Sequence, residues 1–239
     1  MNKYETEALL NQYLLFHYGK ERDQLAFHFG PKNALNFPVR CVTECLDRKA
    51  LPSVFKALEL GCSVGRSSFE LTRYAKEVVA VDSSHAFITA ALHLQQKGQL
   101  AYTLPEGGKS VKRIAKLPEN IAPDRVQFKC CNVMELFHKP KPFHLVLAAN
   151  LLCRLPDPKT FLKHIHTLVK PGGQLILTSP YSWSETFTPK KNWITLNGLQ
   201  QSLKEHFHLI RSFDMPFLLR EHQRLYQWGV AEASLWRSY

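Results

Sequence analysis

An apolar run, Val54-Phe55-Lys56-Ala57-Leu58, leads straight into Glu59-Leu60-Gly61-Cys62-Ser63-Val64-Gly65, and a helical pattern begins near Ser67. Strand, glycine turn and helix in that order leave few folds open. Gly61 permits a tight turn with a ligand close to the backbone, and Gly65 lets the helix start beside that ligand. About twenty residues on, Val78-Val79-Ala80-Val81-Asp82 reads as a second strand ending in a carboxylate. An acid at that point accepts hydrogen bonds from ribose hydroxyls. The spacing therefore predicts an α/β nucleotide-type fold holding an adenosine-containing cofactor.

A dinucleotide site would carry G-x-G-x-x-G, whose glycines bring the backbone to a pyrophosphate. Ser63 stands where the middle glycine would be, and the strand ends in Glu59, a poor neighbour for phosphate and a good one for a cation. S-adenosylmethionine (SAM) has no phosphate and carries an ammonium and a sulfonium. With Asp82, the pattern E-x-G-x-x-x-G resembles that of class I SAM-dependent methyltransferases.

The rest of the chain alternates between strand and helix patterns. Residues 6–18 and 39–46 are expected as helices that cover the cofactor. Strands are expected at 54–60, 77–82, 125–130, 143–149 and 174–178, with helices at 66–74, 84–97, 157–169 and 196–206. Two final β stretches, 207–219 and 222–233, suggest an antiparallel hairpin at one edge. The expectation is a Rossmann-like class I methyltransferase fold: a mainly parallel seven-stranded sheet with an antiparallel C-terminal hairpin and N-terminal covering helices. All 239 residues are expected to form one domain, 1–50 as helical cover and 51–239 as core. Residues 99–124, with Pro105, Gly107, Gly108, Pro118 and Pro123, are expected as a long irregular insertion.

In open α/β sheets the ligand lies at the carboxyl ends of the strands. Glu59, Gly61, Cys62, Ser63, Gly65, Asp82, Ser83, Asn132, Val133 and Asn150 fall there and are the expected cofactor residues. Asn132 could accept a hydrogen bond from the adenine amine, with Val133 against the ring. That position usually carries Asp in methyltransferases. Asn150 lies at the expected point of methyl transfer, where it could orient cofactor or nucleophile.

Composition narrows the partners. The formal net charge is +11, but the Lys and Arg residues are scattered, and Lys109-Ser110-Val111-Lys112-Arg113 is among the densest patches. No aromatics interleave it, so it reads as solvated surface and nucleic acid is not the expected partner. No apolar run approaches the roughly 20 residues of a membrane span, and the N-terminus lacks a signal-peptide pattern. Six cysteines without a C-x-x-C pair fit reduced thiols in a cytoplasmic protein, and no metal site is expected.

Four segments carry a closer resemblance. They are Leu60-Gly61-Cys62-Ser63-Val64-Gly65-Arg66-Ser67-Ser68-Phe69-Glu70-Leu71; Leu145-Val146-Leu147-Ala148-Ala149-Asn150-Leu151-Leu152-Cys153-Arg154-Leu155; Leu177-Thr178-Ser179-Pro180-Tyr181-Ser182-Trp183; and Pro216-Phe217-Leu218-Leu219-Arg220-Glu221-His222 with Ala231-Glu232-Ala233-Ser234-Leu235-Trp236-Arg237. Together they resemble the 4-mercaptohistidine (5-thiohistidine) N1-methyltransferases of ovothiol biosynthesis. The resemblance covers nearly the whole chain, including Phe16-His17-Tyr18-Gly19 and Phe37-Pro38-Val39-Arg40-Cys41. It implies methylation of the imidazole nitrogen nearest the side chain to give ovothiol A, without a metal. It also implies a functional partnership with an iron-dependent sulfoxide synthase, to which such domains are commonly fused.

An amino-acid substrate needs a partner for its carboxylate, and Arg40, Arg220 and Arg224 are candidates. Tyr181 and Trp183 could stack on the imidazole. His17, Tyr18 and His222 are candidate polar contacts, with His17, Tyr18 and Asn150 nearest to a catalytic role. Rival readings are a methyltransferase for another small molecule, one for RNA, or a SAM-binding partner subunit without activity.

Overall fold

The protein is described here as a computed structural model of residues 3–239. Thr6 caps the first helix, α1 (Glu7–Tyr18), which buries Leu14, Leu15 and Phe16. A short α2 (Glu21–Gln24) and α3 (Phe37–Thr43) complete the N-terminal cover. The core then runs β1 (Lys56–Leu60), α4 (Arg66–Leu71), β2 (Glu77–Asp82) and α5 (His85–Lys97). The β3 (Gln99–Glu106) and β4 (Lys109–Lys116) strands follow, then β5 (Val126–Cys130), β6 (Phe143–Ala149), α6 (Pro158–His164), β7 (Val169–Ser179) and α7 (Leu196–Leu203). Two long strands, β8 (Phe207–His222) and β9 (Leu225–Ser238), close the chain.

Seven strands form one sheet in the order β5-β2-β1-β6-β7-β9-β8. The first five are parallel, and β9 runs antiparallel to both β7 and β8. Fold class, strand number, hairpin edge and covering helices are as expected from the sequence. The strand order reverses between β1 and β6, which opens a crevice at their carboxyl ends.

Alternate residues of each strand supply two cores. Ala57, Val78, Ala80, Leu145, Leu147 and Ile176 pack with Phe69, Phe87 and Leu94 and with the N-terminal Leu14, Leu15 and Phe37. Leu58, Leu60, Val79, Val81, Val146, Ala148, Leu175 and Leu177 pack with Phe161, Leu162, Leu199, Leu203 and Trp236 on the other face. Strands buried on both faces explain the continuous apolar runs in the sequence. Among the described residues, no helix is long and apolar enough to cross a membrane, and all six cysteines are free.

The expectation for residues 99–124 needs correcting. Most of that stretch is a regular antiparallel hairpin, with β3 paired to β4 from Gln99↔Lys116 to Glu106↔Lys109. The glycines that read as breakers are its turn: Gly107 and Gly108 have φ of +55° and +79°. Tyr102, Leu104 and Ala115 are buried, and Asn11 of α1 bonds Thr103 through both Nδ2 and Oδ1. The hairpin thus holds the N-terminal cover on the core. The two C-terminal strands also run longer than expected, since each continues past the sheet edge on its partner alone.

Gly65 starts α4 with φ +83°, and a Cβ there would lie 2.7 Å from Cζ of Phe128 on β5. Gly65→Ala is expected to cost roughly 1–3 kcal/mol through the left-handed backbone and that contact. Urea unfolding with an unchanged midpoint would contradict this packing.

Candidate active site

A cavity of about 670 Å³ opens at the carboxyl ends of the central strands, a size in the range of small-molecule sites. The tips of β1, β2, β5 and β6 supply Glu59, Gly61, Cys62, Ser63, Asp82, Ser83, Asn132, Val133, Asn150 and Leu151. Tyr13, Phe16 and His17 of α1 roof it, with Tyr4 before them. Pro180, Ser182 and Phe187 after β7, with Phe217, Leu219 and Trp228 from the β8–β9 hairpin, wall its outer end. All the expected cofactor residues line it except Gly65, which sits behind the loop as the residue before α4.

Asp82 ties two turns together. Its Oδ2 accepts a hydrogen bond from the Ser63 amide at 2.8 Å, and its Oδ1 accepts one from the Ser84 amide at 2.9 Å. Burial raises its pKa, and these amide bonds pull it back. Each oxygen keeps a lone pair for a ligand hydroxyl. Ser63 holds a left-handed φ of +49°, and its buried Oγ has no protein partner. Strained backbone and an orphaned hydroxyl at one point suit a ligand-facing loop.

Glu59 is 1% exposed and accepts hydrogen bonds from the Ser67 and Ser68 hydroxyls. Burial pushes its carboxyl up to about 7, and the two serines offset only part of that. The folded chain keeps this proton above the ordinary carboxylate range while the unfolded chain does not. The group's contribution to stability is therefore present at acid pH and lost as pH rises to about 7.

Asn150 also has a positive φ, +51°. Its amide donates to the Thr178 carbonyl and Oγ1, and Thr178 Oγ1 donates to Asn150 Oδ1 at 2.9 Å. The Asn150 Nδ2 has no protein acceptor among the described residues. Asn132 uses its Oδ1 to cap the turn at the Met134 amide, 3.0 Å away. One lone pair on that oxygen is left for an adenine amine.

The donor set fits SAM. At the strand tips the charged groups lining the cavity are Glu59 and Asp82, and the nearby Arg66 is paired with Glu70. A polyphosphate would meet two acids there, whereas an ammonium, a sulfonium and ribose hydroxyls would find acceptors.

Of the expected substrate and catalytic residues, His17 and Asn150 line the cavity. Burial, aided by the charge of Arg66, pushes His17 down to about 3, so it is a neutral imidazole at physiological pH. Tyr18 does not face the cavity: its hydroxyl donates to the Val64 carbonyl at 2.8 Å and so holds the glycine loop. Arg40 is engaged by Glu44 and by the carbonyls of Asn33 and Pro216. Arg220, 2% exposed, lies between the Asp23 carbonyl and Glu106, where it joins α2 to the inserted hairpin. Tyr181 turns to Glu232 and Trp183 to the Ile194 carbonyl, both within the core packing. His222 and Arg224 meet each other at the exposed hairpin turn. These seven residues do not line the cavity.

The sequence reading missed Tyr4, Tyr13, Phe87, Arg154, Phe187, Phe217 and Trp228. Arg154 and Phe217 lie inside segments that carry the closer resemblance. Trp228 is 61% exposed at the cavity mouth, and an isolated tryptophan near the C-terminus carried no local signal.

Residues 58–177 match the family described as "Methyltransferase domain". The chain is 26% identical over 151 residues to the ubiquinone biosynthesis O-methyltransferase of Pseudomonas aeruginosa, covering 63% of this chain and 54% of that protein. The chain thus spans about half the length of the curated relatives it matches. Among solved structures, the N-methyltransferase NodS from Bradyrhizobium japonicum WM9 in complex with S-adenosyl-L-homocysteine (SAH) has a TM-score of 0.55 at 14% identity. That match covers 96% of this chain and 98% of NodS. The [4+2]-cyclase SpnF gives 0.57 at 15% identity, with 83% and 80% covered. At such identities the likeness is one of fold.

Two outcomes are expected from this geometry. Asp82→Ala should weaken SAH binding by roughly 1–3 kcal/mol, through loss of charge-assisted hydrogen bonds; unchanged affinity in titration calorimetry would remove Asp82 from the cofactor site. An ammonium beside Glu59 favours its ionised form. SAH affinity should therefore rise with pH toward about 7, up to roughly tenfold per unit, with proton release on binding. The Glu59→Gln variant should lose that slope, and a slope that persists would place the titrating group elsewhere.

Proposed function

The chain belongs to the methyltransferase domain family, and from that premise we propose that it is a SAM-dependent N-methyltransferase acting on 5-thiohistidine. The nitrogen methylated is the imidazole nitrogen nearest the side chain, and the product is ovothiol A. In this reading residues 1–239 work as one methyltransferase domain, and an iron-dependent sulfoxide synthase supplies the acceptor.

One observation carries the proposal. The segments resembling thiohistidine methyltransferases converge on the outer end of the cavity: Pro180 and Ser182 from one, Phe217 and Leu219 from another. Both lie beyond residue 177, where the general domain match ends. They are thus independent of the cofactor-binding half of the chain.

SAM, when bound, supplies a methyl group on a sulfonium, open to in-line displacement. The chain's own task is placement, since holding reactants aligned at about 3–3.5 Å accounts for much of the rate. Asp82, Glu59 and the Gly61–Ser63 turn hold the cofactor end. Asn150, held by Thr178, is assigned the task of orienting the two reactants. Tyr4, Tyr13 and Phe87 pack as an aromatic roof over the cavity. His17, neutral and buried, can accept a hydrogen bond but holds a proton poorly. The acceptor's own thiolate-enriched ring supplies the nucleophile, so a strong base is not required of the protein.

A second reading takes the activity named for the curated relatives, O-methylation, with a phenol as the acceptor here. The aromatic roof would receive a flat phenol as well as an imidazole.

The deciding experiment incubates the protein with SAM and, separately, 5-thiohistidine, histidine and a catechol, and reads products by mass spectrometry. Methylation of 5-thiohistidine on a ring nitrogen, with histidine untouched, is the expected result. Methylation of the catechol alone would replace this reading with the second.

A further inference from the structure

Arg154 follows the tip of β6, in the turn Leu152–Arg154, and its side chain is half-buried in the cavity wall. It is the one Lys or Arg lining that cavity among the described residues. Three other shielded arginines have an acid: Arg66 has Glu70, Arg113 has Asp23 and Arg220 has Glu106. Arg48, away from the cavity, instead donates to the carbonyls of Leu51, Pro52 and Ser53. Arg154 makes no ion pair among the described residues.

Its partners are neutral. The Nε donates to the Tyr4 hydroxyl at 3.1 Å. Its Nη1 reaches the Cys153 carbonyl at 3.0 Å, the Cys153 Sγ at 3.2 Å and the Ser182 carbonyl at 3.1 Å. The guanidinium carbon lies 5.1 Å from the centre of the Phe187 ring. Those contacts fix the plane of the group and use three of its five N–H donors. The two hydrogens on Nη2 have no protein acceptor among the described residues.

A partly desolvated guanidinium without a counter-ion gains from an anion that completes it. Its contacts with Tyr4, Ser182 and Phe187 hold it in place before any ligand arrives, so little freedom is lost on binding. The cavity's charges are also separated. Glu59 and Asp82 lie at the β1 and β2 tips, while Arg154 lies beyond β6, between the roof and the outer wall. An anionic group is repelled from the first place and drawn to the second.

We propose that Arg154 is the carboxylate-recognition residue of the acceptor site, and that the acceptor is a carboxylate-bearing molecule docked end-on at Nη2. This rests on the methyltransferase reading above and specifies the acceptor class further. The role assigned in the sequence to Arg40, Arg220 or Arg224 passes to a residue next to the methyl-transfer point. The same chemistry could be met by the amino-acid carboxylate of the cofactor, and the experiment separates the two.

Titration calorimetry on the wild type, Arg154→Ala and Arg154→Lys would first measure SAH affinity. The SAH-saturated proteins would then be titrated with 5-thiohistidine and with three matched pairs: 5-thiohistidine against its decarboxylated amine, histidine against histamine, and 3,4-dihydroxybenzoate against catechol. The wild type is expected to prefer the carboxylate member of at least one pair. Arg154→Ala should reduce that preference roughly 10- to 100-fold, the range for a charge-assisted contact. Arg154→Lys should restore part of it. Affinity for SAH and for the member lacking the carboxylate should stay unchanged, which also shows that the variants fold. Weaker SAH binding with an intact preference would assign Arg154 to the cofactor and overturn the proposal. So would equal loss on both members of a pair, or no Arg154-dependent preference in any pair. Failure of 5-thiohistidine alone, with a preference in another pair, would sink the thiohistidine reading and leave the carboxylate site standing.

Discussion

The carboxylate of Asp82 is the contact on which the site depends. A parallel sheet delivers its strand tips as separate turns, each with backbone amides needing acceptors where the strands end. By taking the Ser63 amide on one oxygen and the Ser84 amide on the other, Asp82 binds the first turn to the second. The Ser63 amide can reach that oxygen because Ser63 adopts a left-handed conformation between Gly61 and Gly65. Tyr18 holds the same loop from above through the Val64 carbonyl. The loop that faces the cofactor is therefore set by one charge and one hydroxyl before any ligand binds, which is the condition for placement to speed a reaction.

Around this floor, the roof and outer wall are assembled from distant parts of the chain. The inserted hairpin holds α1 through Asn11 and Thr103. Arg220 connects α2 to the same hairpin through Asp23 and Glu106. Arg40 connects α3 to β8 through the Pro216 carbonyl. Arginines that resemble ligand-binding groups in the sequence thus keep the cover in register with the core. Their burial leaves Arg154 as the guanidinium that faces the cavity, and its neutral neighbours leave its charge for an anion.

Much of the fold was legible because its signals are local. Strands buried on both faces write continuous apolar runs, and the boundaries at Glu77–Asp82 and Phe143–Ala149 were read to the residue. Helix starts were legible where Thr6 and Ser84 cap them. The insertion was less legible because Gly107 and Gly108 suit a chain break and a hairpin turn alike, and only the alternation of Leu100, Tyr102 and Leu104 separates the two. At the site, the residues at strand tips were legible because a turn motif fixes their place in the chain. The outer wall was not, because Phe217 and Trp228 reach the cavity only through the pairing of β8 with β9.

By itself, then, the sequence determined the sheet, its crevice and the acids at its floor, because periodicity and turn chemistry act between residues close together in the chain. Which arginine faces the ligand was decided by tertiary structure alone. Arg40, Arg154 and Arg220 are the same side chain, and what separates them is the set of partners each one meets. Glu44 and the Pro216 carbonyl take the first, and Asp23 and Glu106 take the last. Arg154 meets Tyr4, Cys153 and Ser182, none of which neutralises it.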